Sequence, residues 1–128
     1  MAFPFHVTIP AGTPEENPIR ETLIVEPGII YKIHIISSWG TNGEVFCKLE
    51  DIYGRQILPV KEGSYFRLWG QVIEAKYPAI QFEAKGDKTR IVFVGWSPGT
   101  QYDHVVDVTF WIAPDVDVVK RMFGIEKI

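Results

Sequence analysis

Apolar residues recur at every second position through most of this chain. Phe3, Phe5, Val7 and Ile9 open the pattern, and Ile19, Leu23 and Val25 resume it with Glu21 in step. A period of two puts alternate side chains on opposite faces of an extended strand. The breaks fall where turn residues cluster, at residues 10–14 (Pro-Ala-Gly-Thr-Pro) and at Pro27-Gly28, which suits a type II turn. Residues 29–36 are rich in β-branched side chains. Strict alternation there places Tyr31, Ile33 and Ile35 on one face and Lys32 and His34 on the other, with Ile30 and Ile36. Asn42-Gly43 is a hairpin signal. Residues 44–52 and 56–58 read as the next strands, with a turn over Tyr53-Gly54-Arg55. Residues 65–73 read as one extended segment interrupted near Gly70. Residues 79–85 alternate with Ile80, Phe82 and Ala84 inward, and Gly86-Asp87 turns the chain into residues 89–96. The last strand, residues 104–112, carries Val106, Val108, Phe110 and Ile112 on one side and Trp111 against them.

These are eight or nine strands with turns about every 8–12 residues, the spacing of a sandwich or barrel. No intervening segment is long or periodic enough for the crossover helix that parallel strands require. The expected fold is therefore all-β, an antiparallel, jelly-roll-like β-sandwich over residues 1–113. The period changes in the tail, residues 114–128. Asp115 can cap a helix, and Val116, Val119 and Phe123 recur at helical spacing with Val118 and Met122 beside them. Lys120 and Arg121 suit the negative end of the helix dipole, and Gly124 can terminate it. So short a helix is marginal alone and must lie on this domain or on a neighbour.

Composition narrows the functional classes. A chain of 128 residues fits one domain with a full core. Net charge is −3 with no block of Lys or Arg, which argues against nucleic acid as the main partner. Cys47 is the single cysteine, so an internal disulfide and a cysteine-based zinc cage are excluded. It alternates with Val45 and Leu49, the pattern of a buried, inert thiol. The first residues lack the basic start and continuous apolar run of a signal peptide, so synthesis in a cytoplasm is expected. No apolar run approaches the roughly 18–20 residues that span a bilayer. Few Asn and Gln beside abundant Ile, Glu and Lys point to a thermophilic source.

The chemistry-bearing motifs are weak. Residues 95–99 spell Gly-Trp-Ser-Pro-Gly, the pattern of a hydrolase nucleophile elbow, with Asp103-His104 downstream. That elbow needs a helix after the serine, whereas Pro98-Gly99 and a further strand follow here. Adjacent strand residues also point to opposite faces, so Asp103 cannot readily orient His104. The expected reading is a loop, with no catalytic residue. His6, His34 and His104 lie on three separate strands without ligand spacing, and Glu15-Glu16 lacks the spaced oxygens of a calcium loop. No metal or other cofactor is expected.

Aromatic residues make up 13% of the chain, and several fall near loops. Trp39, Trp69, Trp96 and Tyr102 either plug the open ends of the core or form a contact surface that stacks on a sugar ring or a partner. The opening IPAGT with Asn17-Pro18, the Pro27-Gly28 turn into an Ile-rich strand, Ile57-Leu58-Pro59, and an aromatic loop before His104 and a Val-rich strand form a recurring layout. From about Ile9 to Pro114 it resembles small β-sandwich proteins of virus particles: capsid, decoration or accessory proteins with a single jelly roll. The resemblance implies a non-enzymatic structural protein that self-associates into a homo-oligomer and meets other virion proteins. Its acidic balance suits an outer or shell position. The expected assembly contacts are Phe3 and Phe5, which could add to a neighbour's sheet edge, Trp111, facing outward towards the tail helix or another subunit, and Val116, Val119, Met122 and Phe123 of the tail; the alternative for both chain ends is packing on their own domain. The alternative is a carbohydrate- or receptor-binding module using the loop tryptophans.

Overall fold

Ten strands, among the residues described by the computed structural model (2–37, 39–80 and 82–124, without the Trp39 side chain), form two antiparallel sheets. The strands are β1 (Ala2–Ile9), β2 (Ile19–Ile24), β3 (Gly28–Ser37), β4 (Val45–Asp51), β5 (Gln56–Leu58), β6 (Phe66–Leu68), β7 (Val72–Lys76), β8 (Phe82–Ala84), β9 (Arg90–Trp96) and β10 (His104–Ala113). Their pairing is nested. β1 pairs with β10, β2 with β9, β3 with both β7 and β8, and β4 with both β5 and β6. The chain is thus one long hairpin whose tip lies between β4 and β5, where the Asp51 carboxylate accepts from the backbone N–H groups of Tyr53 and Arg55. Rolling that hairpin brings β10 beside β3 and β9 beside β4. Sheet A then runs β1-β10-β3-β7, with β8 pairing the start of β3 (Gly28–Ile30) ahead of the stretch that pairs with β7, and sheet B runs β2-β9-β4-β5, with β6 also on β4. This is the jelly-roll order.

The inward halves of the alternation meet between the sheets. Phe93, Phe110, Ile9, Leu23, Ile33, Ile35, Leu49 and Ile91 are fully buried there, and Cys47 sits among them. Gly95 faces the same core. A Cβ on it would come within 2.7 Å of Ile9 Cδ1 and 2.8 Å of Phe93 Cε1, so any side chain there would have to displace both.

Two departures from the sequence pattern have physical causes. Residues 65–73 are two strands, because the chain changes sheets at Trp69-Gly70. β6 belongs to sheet B and β7 to sheet A, and the Gly70 N–H donates to Ser37 Oγ at 3.1 Å across the gap. The second is a β-bulge in β3. Trp111 pairs with Lys32 but Ile112 pairs with Ile30, so Tyr31 has no register partner on β10 and the alternation changes phase. Ile30 therefore enters the core, while Tyr31 leaves the face of Ile33 and Ile35 and turns to the outside of sheet A.

The tail uses that turned-out ring. Helix α1 (Val116–Met122) starts on Asp115, whose carboxylate accepts from the Val118 N–H at 3.0 Å, and Gly124 follows in the left-handed conformation with φ +65°. Val119 is completely buried against Tyr31 and Ala113 of its own chain, with Ile29, Tyr77 and Trp111 around them. Phe123 packs edge-on to Tyr31 at 6.0 Å and stacks on Tyr77 at 6.2 Å. A helix of seven residues would not persist alone, and it is the burial of Val119, with Val118 and Phe123 packed beside it, that seats it on the sheet. No described helix is long and apolar enough to cross a membrane.

Candidate functional site

The serine of the Gly-Trp-Ser-Pro-Gly stretch is bonded into the loops around it. Ser97 is fully buried, its hydroxyl donates to the Pro10 carbonyl at 3.1 Å, and its N–H donates to the Thr13 carbonyl at 2.9 Å. Its own carbonyl accepts from the Thr100 hydroxyl at 2.9 Å. These bonds tie the β9–β10 loop to the loop after β1. Asp103 is engaged there too, accepting from the Ala11 N–H at 2.8 Å. Burial pushes the Cys47 thiol up to about 12, so it stays protonated near neutral pH. No group of three or more His, Cys, Asp or Glu among the described residues could hold a metal ion.

Side chains that could meet a partner lie on the outer faces of the two sheets. On sheet B the sequence Tyr65-Phe66-Arg67-Leu68-Trp69 alternates through β6. Leu68 is buried and Phe66 packs on the core, while Tyr65, Arg67 and Trp69 turn outward. Tyr65 packs against Phe46 at 5.5 Å and Trp96 at 5.4 Å, and Phe46 stacks on Trp96 at 5.9 Å. The Arg67 guanidinium lies 5.7 Å from the Phe46 ring and 5.0 Å from the Trp69 ring, and its Nε donates to the Gly43 carbonyl at 2.7 Å. Trp69 rests on bare backbone. A Cβ on Gly43 would fall 2.5 Å from the indole ring, and Gly43 has φ +71°. Trp69 nonetheless keeps 55% of its surface exposed and Tyr65 49%. The result is a fixed aromatic platform with a guanidinium in its middle. Farther along this face, Glu50 accepts from Arg20 at 2.9 Å and from Lys48 at 3.1 Å, so both cations are already paired.

The outer face of sheet A has another character. His6 bonds to Asp107 across β1 and β10, and His34 Nε2 meets Glu74 Oε2 at 2.5 Å across β3 and β7. The Lys76 ammonium reaches Glu74 at 3.3 Å, and the hydrogen bonds from His34 and then Lys76 hold the Glu74 carboxyl below its usual range. Lys32 Nζ sits 4.2 Å over the Trp111 ring, and His34 packs on the same ring at 4.6 Å. Ile36 and Val72 are cross-strand neighbours on this face, and Val105 lies two residues along β10 from Ile36's partner Asp107. All three are exposed, at 38%, 57% and 47%.

The residues expected to form one contact surface are dispersed. Trp69 belongs to the platform. Trp96 is only 5% exposed, on the outer face of sheet B beneath Phe46 and Tyr65, so it is the support of the platform and not a plug in the open end of the core. Tyr102 is exposed at a separate cleft of about 260 Å³ that it shares with Asn42, Glu44, Gln101 and His104. The Trp39 backbone starts a short 3-10 turn, and its side chain lies outside the described residues. The sequence reading passed over Arg67. The period-two spacing of Tyr65, Arg67 and Trp69 was the available signal.

The expected assembly residues divide as well. Phe3 and Phe5 turn inward against this chain's own core, with Phe5 edge-on to Phe110 at 5.8 Å. Their strand is an edge strand with Pro4 in its middle, where a missing N–H blunts pairing with another chain. Trp111, Val119 and Phe123 are used within the chain, whereas Val116 and Met122 remain exposed.

No family model and no curated protein matches the sequence. Among solved structures, the chain is similar to the SPBc2 prophage-derived protein YomS at 13% identity, covering 86% of this chain and 94% of that one with TM-score 0.46. It is also similar to PliG, a periplasmic inhibitor of g-type lysozyme from Aeromonas hydrophila, at 10% identity, 86% of each chain and TM-score 0.43. A third likeness is to the extra small virus (XSV) VLP of the giant freshwater prawn Macrobrachium rosenbergii, at 16% identity, 90% of this chain, 79% of that one and TM-score 0.32. These are likenesses of β-sandwich outline and carry no argument about what this chain does.

Proposed function

We propose that the protein is a non-enzymatic structural component that self-associates, with the outer face of sheet A as its contact with a second copy, in the setting of a virus particle. The observation that supports this reading is the exposed strip of Ile36, Val72 and Val105 flanked by charges of both signs. Burying such a strip gains roughly 25 cal/mol per Å² of apolar surface. A two-fold contact sets the same patch against itself, so a face carrying cations and carboxylates side by side can answer its own charges. The cross-strand pairs His6–Asp107 and His34–Glu74 also hold these side chains in place before contact, which lowers the ordering cost of association. The virion setting rests on the sequence layout from Ile9 to Pro114.

Light scattering coupled to size-exclusion chromatography tests the reading. The full chain should run above monomer mass, and Ile36→Lys together with Val72→Lys should return it to monomer while the unfolding midpoint stays nearly unchanged. A wild-type protein that is strictly monomeric at about millimolar concentration, a level that would capture even weak contacts, removes the proposal.

A further inference from the structure

We propose that Tyr65, Arg67 and Trp69 form a binding site for an oligosaccharide that carries a sugar carboxylate. The proposal is independent of assembly through sheet A, since the two surfaces lie on opposite faces of the sandwich. The C–H faces of a pyranose ring stack on flat aromatic surfaces, and Tyr65 and Trp69 offer two exposed ones. As residues i and i+4 of an extended segment they stand roughly 13 Å apart, a span that takes more than one sugar ring. Both ends are fixed in advance: Trp69 by Gly43 beneath it, Tyr65 by Phe46 and Trp96. A rigid platform spends little conformational entropy when a ligand arrives.

Charge selects the ligand. Arg20 and Lys48 are both committed to Glu50, whereas Arg67 has no carboxylate partner among the described residues and uses Nε alone on the Gly43 carbonyl. A guanidinium between two stacking surfaces matches the planar, two-oxygen geometry of a carboxylate. One such cation suits a ligand with an isolated negative group. A single-stranded nucleic acid also stacks on aromatic rings, but it needs a row of cations along its backbone.

Titrating the full-length, isotope-labelled chain and following the Trp69 indole N–H by NMR tests the site, with sialyllactose and a hyaluronan tetrasaccharide as acidic probes and lactose and oligo-dT as comparators. At least one acidic probe should shift Trp69 and bind about tenfold more tightly than lactose. Whichever of the two binds identifies the source of the carboxylate. Trp69→Ala should weaken binding about tenfold or more. Arg67→Gln should erase the preference over lactose, and Arg67→Lys should restore part of it. Repeating the titration on the Ile36→Lys/Val72→Lys protein separates ligand binding from assembly. Equal binding of lactose, tighter binding of oligo-dT, or a silent Trp69 signal with both acidic probes at about 10 mM overturns the proposal.

Discussion

The two outer faces of the sandwich obey the same strand alternation and put it to different uses. On sheet B the outward positions around β6 are two rings flanking an arginine, and Gly43 backbone under one of them holds a half-exposed tryptophan beside that arginine. On sheet A the outward positions mix titratable pairs with the apolar strip of Ile36, Val72 and Val105. Histidines pair with carboxylates across neighbouring strands, and the far end lies beneath the protein's own helix. The exposed part of one face is rings around a single arginine, and that of the other is cross-strand charge pairs beside an apolar strip. The fold alone does not choose between them, because the alternation sets only which residues point out.

The largest effect is expected where sheet A is covered. Val119→Asp places a carboxylate against Tyr31 and Ala113 and should cost about 3 kcal/mol or more in urea unfolding, whereas Val116→Asp on the exposed side of the same helix should stay within about 0.5 kcal/mol. Equal costs for the two would show that the helix is not seated on its own sheet. A smaller cost is expected on sheet B. Gly43→Val drives a side chain into the Trp69 ring at a residue with φ +71°, which should cost about 1–3 kcal/mol and displace the Trp69 indole signal while the sheet A resonances stay in place. An unmoved indole signal would mean that Gly43 does not support the platform.

The smallest effect, and the one that separates the faces by chemistry, is pH. His34 and Lys76 lower the folded pKa of Glu74 below its unfolded value, so the pair stabilises the protein fully above the ordinary carboxylate range. That contribution is lost as pH falls through the depressed folded value. Unfolding midpoints of wild type and Glu74→Gln, compared from neutral pH down to about pH 3, should therefore converge on acidification below the ordinary glutamate value. A gap that stays constant over that range would contradict the cross-strand pair. Among the described residues sheet B's platform has no comparable ion pair at its centre, and Trp69→Ala should show no such convergence.

Much of the architecture was legible because one face of each strand must be buried. The core positions Val106, Val108, Phe110 and Ile112 on β10, the Asp115 cap and the Gly124 stop all follow from period and turn chemistry. The candidate sites were less legible. Trp96 and Trp69 look alike in the sequence, both apolar rings near a turn. Exposure separates them, and exposure depends on Phe46 and Tyr65 arriving from other strands. Arg67 became a site residue only once Gly43 and Phe46 of the neighbouring segment stood beside it.

By itself, then, the sequence determined an antiparallel β-sandwich, the inward set of most strands and a capped terminal helix, since burial period and turn residues are local. Only the tertiary structure decided the nested strand order, because pairing partners such as β1 and β10 are distant in the chain and the alternation is the same for any neighbour. It also decided the fate of Tyr31. One extra residue opposite Trp111 and Ile112 reverses the phase of β3, sends Ile30 into the core and gives Val119 its seat on sheet A. A bulge is a property of two strands in register, and neither strand records it alone.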